Sequence, residues 1–313
     1  MATFVVADDR FFQHRTGQHP ECPERLVGIY RTLRQRRAGQ LRGVDPRPAT
    51  VLEVERVHSR AQRESVEATS RAGGGMLDPD TVCGEESYDV ALLAAGAVCA
   101  LAETLMGEPG RSAGLALVRP PGHHATPDRA MGFCLFNNAA IAARHLQTAL
   151  GVGRILIVDW DVHHGNGTQD AFYADPSVVY LSMHRWPFYP GTGSESETGA
   201  GAGTGATINV PVAAGTPRTE VLARFQGAVE AAARRFAPEL VIVSAGFDAY
   251  VADPIGGLGL ETVDFATMTD IVASVAANAK YPTILSVLEG GYHLQALPSL
   301  VAAHVDRLVA FAG

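Results

Sequence analysis

Asp161-Val162-His163 sets an acid and an imidazole two positions apart. In an extended segment, side chains at i and i+2 point the same way, so both can reach one point in space. Asp248, placed after a different apolar run, would complete an Asp–His–Asp set. Three protein donors with an open position is the plan of a catalytic metal site, whereas structural zinc sites close with four. Two carboxylates and one imidazole suit Zn²⁺ or Fe²⁺. Such an ion polarises a carbonyl and lowers the pKa of water from about 15.7 to about 7. The adjacent imidazoles of His123 and His124 are general acid–base groups. Asp159 would hold one of them by an ionic hydrogen bond and Asn166 the other by a neutral one. Tyr292 follows Gly290-Gly291, where the backbone can approach closely, and its hydroxyl can donate to a developing oxyanion. Together these groups describe metal-assisted hydrolysis of an amide or ester.

Taken singly, each has a plainer reading: the aspartates as loop caps, His163 as a core histidine, Tyr292 as a packed aromatic. Their places along the chain weigh against it. Apolar runs of strand length stand at 115–118, 155–158, 178–182, 207–210, 240–244 and 283–288. Most are continuously apolar, as expected for strands covered on both faces of a parallel sheet. The residues after five of these runs include His123-His124, Asp159 to His164, Met183-His184, Asp248 and Tyr292. Ligands bind open α/β sheets at the carboxyl ends of the strands.

Helix-length amphipathic segments separate the runs. One is expected to start at a Thr216 cap with Pro217 in the first turn, bury Val221, Leu222, Phe225, Val229 and Phe236, and end at Pro238. The alternation predicts an α/β fold: a doubly wound, mostly parallel sheet flanked by helices, with residues 1–313 as one domain. The Gly-rich stretch 191–205 reads as a loop within a strand-to-strand connection.

Composition narrows the class further. With 313 residues and 47% apolar content, the chain can bury a large core. Net charge is −8, which argues against nucleic-acid partners. The longest uncharged apolar run, 90–102, has 13 residues, short of the roughly 18–20 that span a bilayer. The amino-terminal stretch 1–10 has no basic region and too short an apolar core for a signal peptide. Cys22, Cys83, Cys99 and Cys134 show no CxxC pairing. A cytoplasmic protein without membrane partners is expected.

The motifs RPPGHHA at 119–125, GFCLFNNAAIA at 132–142, DWDVHHGNGTQDAFY at 159–173, SMHRWPFYPGTG at 182–193, SAGFDAYVADPIGG at 244–257 and LEGGYH at 288–293 resemble the histone deacetylase superfamily. Its class II-like and bacterial members, related to acetylpolyamine amidohydrolases, also share the segment from His19 to Leu26. The resemblance spans about residues 14–310 and implies an arginase/deacetylase-like fold. It implies that Asp161, His163 and Asp248 bind zinc, with Fe²⁺ as the other choice, and that His123 pairs with Asp159 and His124 with Asn166. Tyr292 would polarise the acetyl carbonyl. Phe133, Tyr189, Ile255, Gly132 and Gly291 would line a substrate tunnel. Structural K⁺ is implied at Asp159, Asp161, His163, Ser182 and Met183, with a second ion around Phe172, Asp175 and Val178.

The implied substrate is an acetylated lysine peptide or an acetylated polyamine. Ile255 after Asp253-Pro254, where polyamine-selective eukaryotic relatives place Glu, favours the peptide. The segment 41–87 could instead restrict access to small acylamines, and a dimer or tetramer would serve the same end. An arginase-type dimanganese site would need carboxylates where this chain has Gly165 and Tyr250. A non-catalytic acyl-amine binding module would have lost a ligand, a histidine or the tyrosine, and all are present.

Overall fold

The computed structural model describes residues 3–36 and 39–313; Met1 and Ala2, the first residues of the amino-terminal stretch considered above, lie outside them. The chain begins with β1 (Thr3–Val6), α1 (Glu24–Arg36), β2 (Leu41–Gly43), α2 (Val51–Glu55) and α3 (Arg60–Arg71). A hairpin of β3 (Gly74–Asp78) and β4 (Thr81–Gly84) leads into α4 (Ser87–Gly107) and β5 (Ser112–Ala116). The alternating part follows: α5 (Asn138–Leu150), β6 (Ile155–Asp159), α6 (Asn166–Phe172), β7 (Val178–Arg185), β8 (Thr207–Val212) and α7 (Arg218–Phe236). Then come β9 (Leu240–Ala245), α8 (Thr262–Ala276), β10 (Thr283–Leu288) and α9 (Leu297–Ala312).

Eight strands form one sheet in the order β2-β1-β5-β10-β9-β6-β7-β8, and every neighbouring pair is parallel. Helices α4 and α5 cover one face; α1, α9, α8 and α7 form a layer on the other. Strands β5, β6, β9 and β10 are buried along their whole length, which explains why their sequences are mainly apolar and do not alternate with exposed polar residues. Each fully buried Val, Leu or Ile there contributes about 1.5–3 kcal/mol. The carboxyl ends of the central strands therefore sit on a rigid platform, and they carry the chemically competent residues.

Three expectations need correction. The strand expected at 115–118 is Ser112–Ala116, because Ser112 and Ala113 pair with β10 although neither looks strand-like. Helix α7 takes Pro217 itself as the residue before its first turn, and Thr216 donates its hydroxyl to the Ala213 carbonyl instead of capping. The third concerns the 13-residue apolar run. It lies within the 21-residue α4, which is long and apolar enough to cross a membrane by length and composition alone. In this fold 72% of its 18-residue apolar window is buried, packed against α5 and the sheet.

Candidate active site

The loop after β6 turns Asp161 and His163 inward, and the loop after β9 brings Asp248 to them. His163 Nδ1 lies 3.1 Å from both Asp161 Oδ1 and Asp248 Oδ2. Backbone donors fix both carboxylates: Gly290 N–H to Asp161 Oδ2 at 2.8 Å and Val162 N–H to Asp248 Oδ1 at 2.8 Å. A Cβ at Gly290 would collide with both acids, so the turn after β10 must be glycine to let them converge.

Asp161 and Asp248 are completely buried. Among the described residues no lysine or arginine donates to either. Burial and the Asp161 charge lift the Asp248 carboxyl to about 7. Burial opposes protonation of His163, but Asp161 and Asp248 outweigh it and lift the imidazole to about 10. Two buried carboxylates and one imidazole whose donor atoms lie within 4.8 Å of one another make a set whose chemistry fits a zinc-like ion.

A second buried group, Glu53, Cys99 and His145, also brings three donor atoms within 4.8 Å. There Arg47 already donates to Glu53 at 2.7 Å and to Glu103 at 2.8 Å. The guanidinium supplies the cation those acids need.

The loop after β5 lays His123 and His124 beside the acids. His123 Nδ1 donates to Asp159 Oδ2 at 3.1 Å, and the Tyr180 hydroxyl donates to the same oxygen at 3.0 Å. His124 Nδ1 donates to Asn166 Oδ1 at 2.8 Å, which leaves Nε2 as an acceptor. Burial disfavours charge on both rings, but Asp161 and Asp159 lift His123 to about 10. Burial and repulsion from His123 and His163 hold His124 well below its ordinary range. Burial keeps the Tyr292 phenol far above its usual pKa, so it is a neutral donor.

These groups form the floor of a cavity of about 210 Å³, lined by His124, His163 and Tyr292 below and by Gly132, Phe133, Phe188, Tyr189, Ile255 and Asp80 above. Gly132 and Phe133 both take left-handed backbone angles (φ 57° and 68°), and a Cβ at Gly132 would collide with the His124 ring. This turn carries the Phe133 ring to 5.8 Å from Tyr292, edge-on. Phe188 stacks on His163 at 5.2 Å and 13°. Tyr189, 36% exposed, stands at the rim. Gly291 does not line the cavity; its carbonyl accepts Arg25 Nε at 2.7 Å beneath the tyrosine turn. Arg25 and Glu21 come from the His19–Leu26 motif, which the fold places behind the site. The hairpin within 41–87 reaches the mouth through Asp80, and Thr81 Oγ1 accepts the Phe133 N–H at 3.1 Å.

Of the residues considered for ions, Asp159 and Ser182 are register partners on β6 and β7. The Asp175 carboxylate is already engaged by Arg144 and Ser177. Four contributors to the site have no role assigned from the sequence: Tyr180, Phe188, Glu289 and Asp253. Buried Glu289 accepts the N–H groups of Gly122 at 2.7 Å and His123 at 3.2 Å. Phe188 had a signal, since it adjoins Tyr189 within the 182–193 motif. The others act through contacts between distant segments.

A family model described as the Histone deacetylase domain matches residues 19–308. The chain is 38% identical to Histone deacetylase 10, chloroplastic, of Oryza sativa subsp. japonica, an alignment covering 96% of this chain and 71% of that protein. It is also 38% identical to an uncharacterized protein of Synechocystis sp., over 97% of each. A crystal structure of the HDA15 HD domain superposes with a TM-score of 0.92 at 38% identity, covering 99% of this chain and 89% of that one.

Proposed function

Because this chain belongs to the histone deacetylase family, we propose that it is a zinc-dependent deacetylase that hydrolyses the amide of acetyl-lysine, or a similar acylated lysine, to free amine and acetate. The observation that carries this reading is the convergence of Asp161, His163 and Asp248 beside two histidines and a tyrosine at the bottom of one narrow cavity. When bound by these three residues, zinc would polarise the amide carbonyl and acidify the attacking water.

The chain's own groups do the rest. His124, neutral and with Nε2 free, is placed to take the proton of the attacking water. His123, held cationic by the Asp161 and Asp159 carboxylates, stabilises negative charge as it develops and is the proton source for the leaving amine. The Tyr292 hydroxyl donates to the oxyanion. Phe133, Phe188 and Tyr189 exclude water around an extended alkyl chain. The inner potassium site is proposed at Asp159, Asp161, His163, Ser182 and Met183, supported by the β6–β7 register.

Apolar Ile255 at the cavity wall, in place of a carboxylate, supports a lysine side chain over a polyamine, although Asp80 sets one acid at the mouth. We read residues 1–313 as one catalytic domain. Four free cysteines support a reducing compartment, which we take to be the cytoplasm. The test is acetate release by the zinc-loaded protein from an acetyl-lysine peptide and from N-acetylputrescine at equal concentration. Higher kcat/KM for the peptide is expected; preference for the polyamine would keep the catalytic roles and reverse the substrate assignment.

A further inference from the structure

Asp253 joins two loops at the tunnel floor through a single carboxylate. Its Oδ2 accepts the backbone N–H of Tyr292 at 2.7 Å and of His293 at 3.2 Å. Its Oδ1 accepts those of Ile255 at 3.0 Å and Gly256 at 3.1 Å. The first pair belongs to the turn after β10 that delivers the Tyr292 phenol. The second belongs to the loop running from Asp248 to the tunnel wall. An ionised carboxylate has about four acceptor sites, and N–H bonds to it are stronger than bonds to a neutral oxygen. An asparagine here would keep one oxygen and turn an NH₂ donor against the other pair of N–H groups.

The tyrosine turn needs such a hold. It begins with Gly290-Gly291, and Gly291 has φ 123°, a conformation open to glycine and strained for other residues. Gly290 N–H is held by Asp161 and the Gly291 carbonyl by Arg25. Asp253 acts on the tyrosine's own peptide. An oxyanion donor is effective at about 2.7–3.1 Å from the developing charge. Displacement by about 1 Å costs on the order of a hundredfold in rate.

We propose that Asp253 is a positioning residue for the reaction: by clamping both loops it sets the Tyr292 hydroxyl relative to the metal ligand Asp248. This deepens the functional reading above and rests on it.

The test is a double-mutant cycle of Asp253→Ala and Tyr292→Phe in the full zinc-loaded chain, reading kcat and KM on an acetyl-lysine peptide together with bound zinc per chain. Asp253→Ala is expected to retain zinc and to lower kcat about a hundredfold with KM little changed. The double variant should be no slower than Tyr292→Phe alone, because placement ceases to matter once the hydroxyl is gone. Asp253→Asn, the variant to use if alanine fails to fold, should show the same non-additivity with a smaller loss. Independent losses that multiply in the double variant would overturn the clamp while leaving the tyrosine's role intact, as would zinc loss in both Asp253 variants. Full activity of Tyr292→Phe by itself would remove the tyrosine's role, and the clamp with it.

Discussion

The rings of His123 and His124 lie 4.1 Å apart between centroids yet lean on unlike partners, the Asp159 carboxylate and the Asn166 amide. A carboxylate stabilises an imidazolium, whereas an amide oxygen orients a neutral ring without paying for its charge. Asp161 and Asp159 raise the His123 imidazole, whereas burial and repulsion from His123 and His163 lower His124, so adjacent residues of one type are driven apart in protonation, a separation that acid–base catalysis uses.

Tyr292→Phe removes one hydroxyl from the cavity floor and leaves Asp161, His163 and Asp248 in place. Loss of an oxyanion donor typically costs about 10²–10³-fold in kcat. Zinc content should stay at the wild-type level. Turnover near wild type would remove the tyrosine from the mechanism.

Asp248→Ala deletes the carboxylate that faces His163 Nδ1 at 3.1 Å and frees the Val162 N–H. Zinc should be lost on dialysis and activity with it. Stoichiometric zinc retained by this variant would mean that the ligand set is different.

Glu289→Ala strips the acceptor from three buried donors, Gly122 N–H, His123 N–H and the Ser244 hydroxyl. Each unsatisfied buried group costs about 1–3 kcal/mol. Tm should fall markedly, and kcat should fall with it because the backbone of the histidine pair loses its anchor. Glu289→Gln keeps one oxygen and should lose less of both. An alanine variant as stable as the wild type would contradict this role.

His58 gives a pH dependence. It is buried, with Nδ1 donating to the Thr126 carbonyl at 2.9 Å and Nε2 accepting the Asn137 N–H at 2.8 Å. Burial lowers its pKa to about 4. In the unfolded chain an imidazole titrates near 6.5. Between about pH 6.5 and 4 the unfolded state therefore binds the extra proton, and stability is lost as pH falls through that window. The contribution is on the order of 3 kcal/mol. His14, also lowered to about 4 by burial, adds to the same trend. Asp248 and Glu289, lifted by burial to about 7, act in the opposite sense over the same range, so the check is local: the His58 ring resonances should stay those of a neutral imidazole to about pH 5. Protonation near 6.5 in the folded protein would contradict the assignment.

The parallel sheet is legible because β6 and β9 open on unbroken apolar runs and β10 is broken only by Ser286, and the strand-end rule then points to His123, Asp161, Asp248 and Tyr292. Strand β5 was misplaced because its first residues are small, and β1 and β2 are too short to carry a period. Helix α7 was found from its apolar spacing, but its first turn was not, since a threonine before proline can bond backwards as readily as it caps. Asp253 and Glu289 stand inside the 244–257 and 288–293 motifs, but their roles are not legible there, because the Tyr292 and Gly122 N–H groups they accept lie 39 and 167 residues away and meet them only once the sheet has brought the loops together.

The most direct test of the central claim is stoichiometric: metal-free protein titrated with zinc while acetate release from an acetyl-lysine peptide and bound metal are followed together. Activity should rise linearly to one zinc per chain, level off there, and be absent in Asp248→Ala. Full turnover by the metal-free protein, or a rise that continues to two catalytic ions per chain, would contradict it.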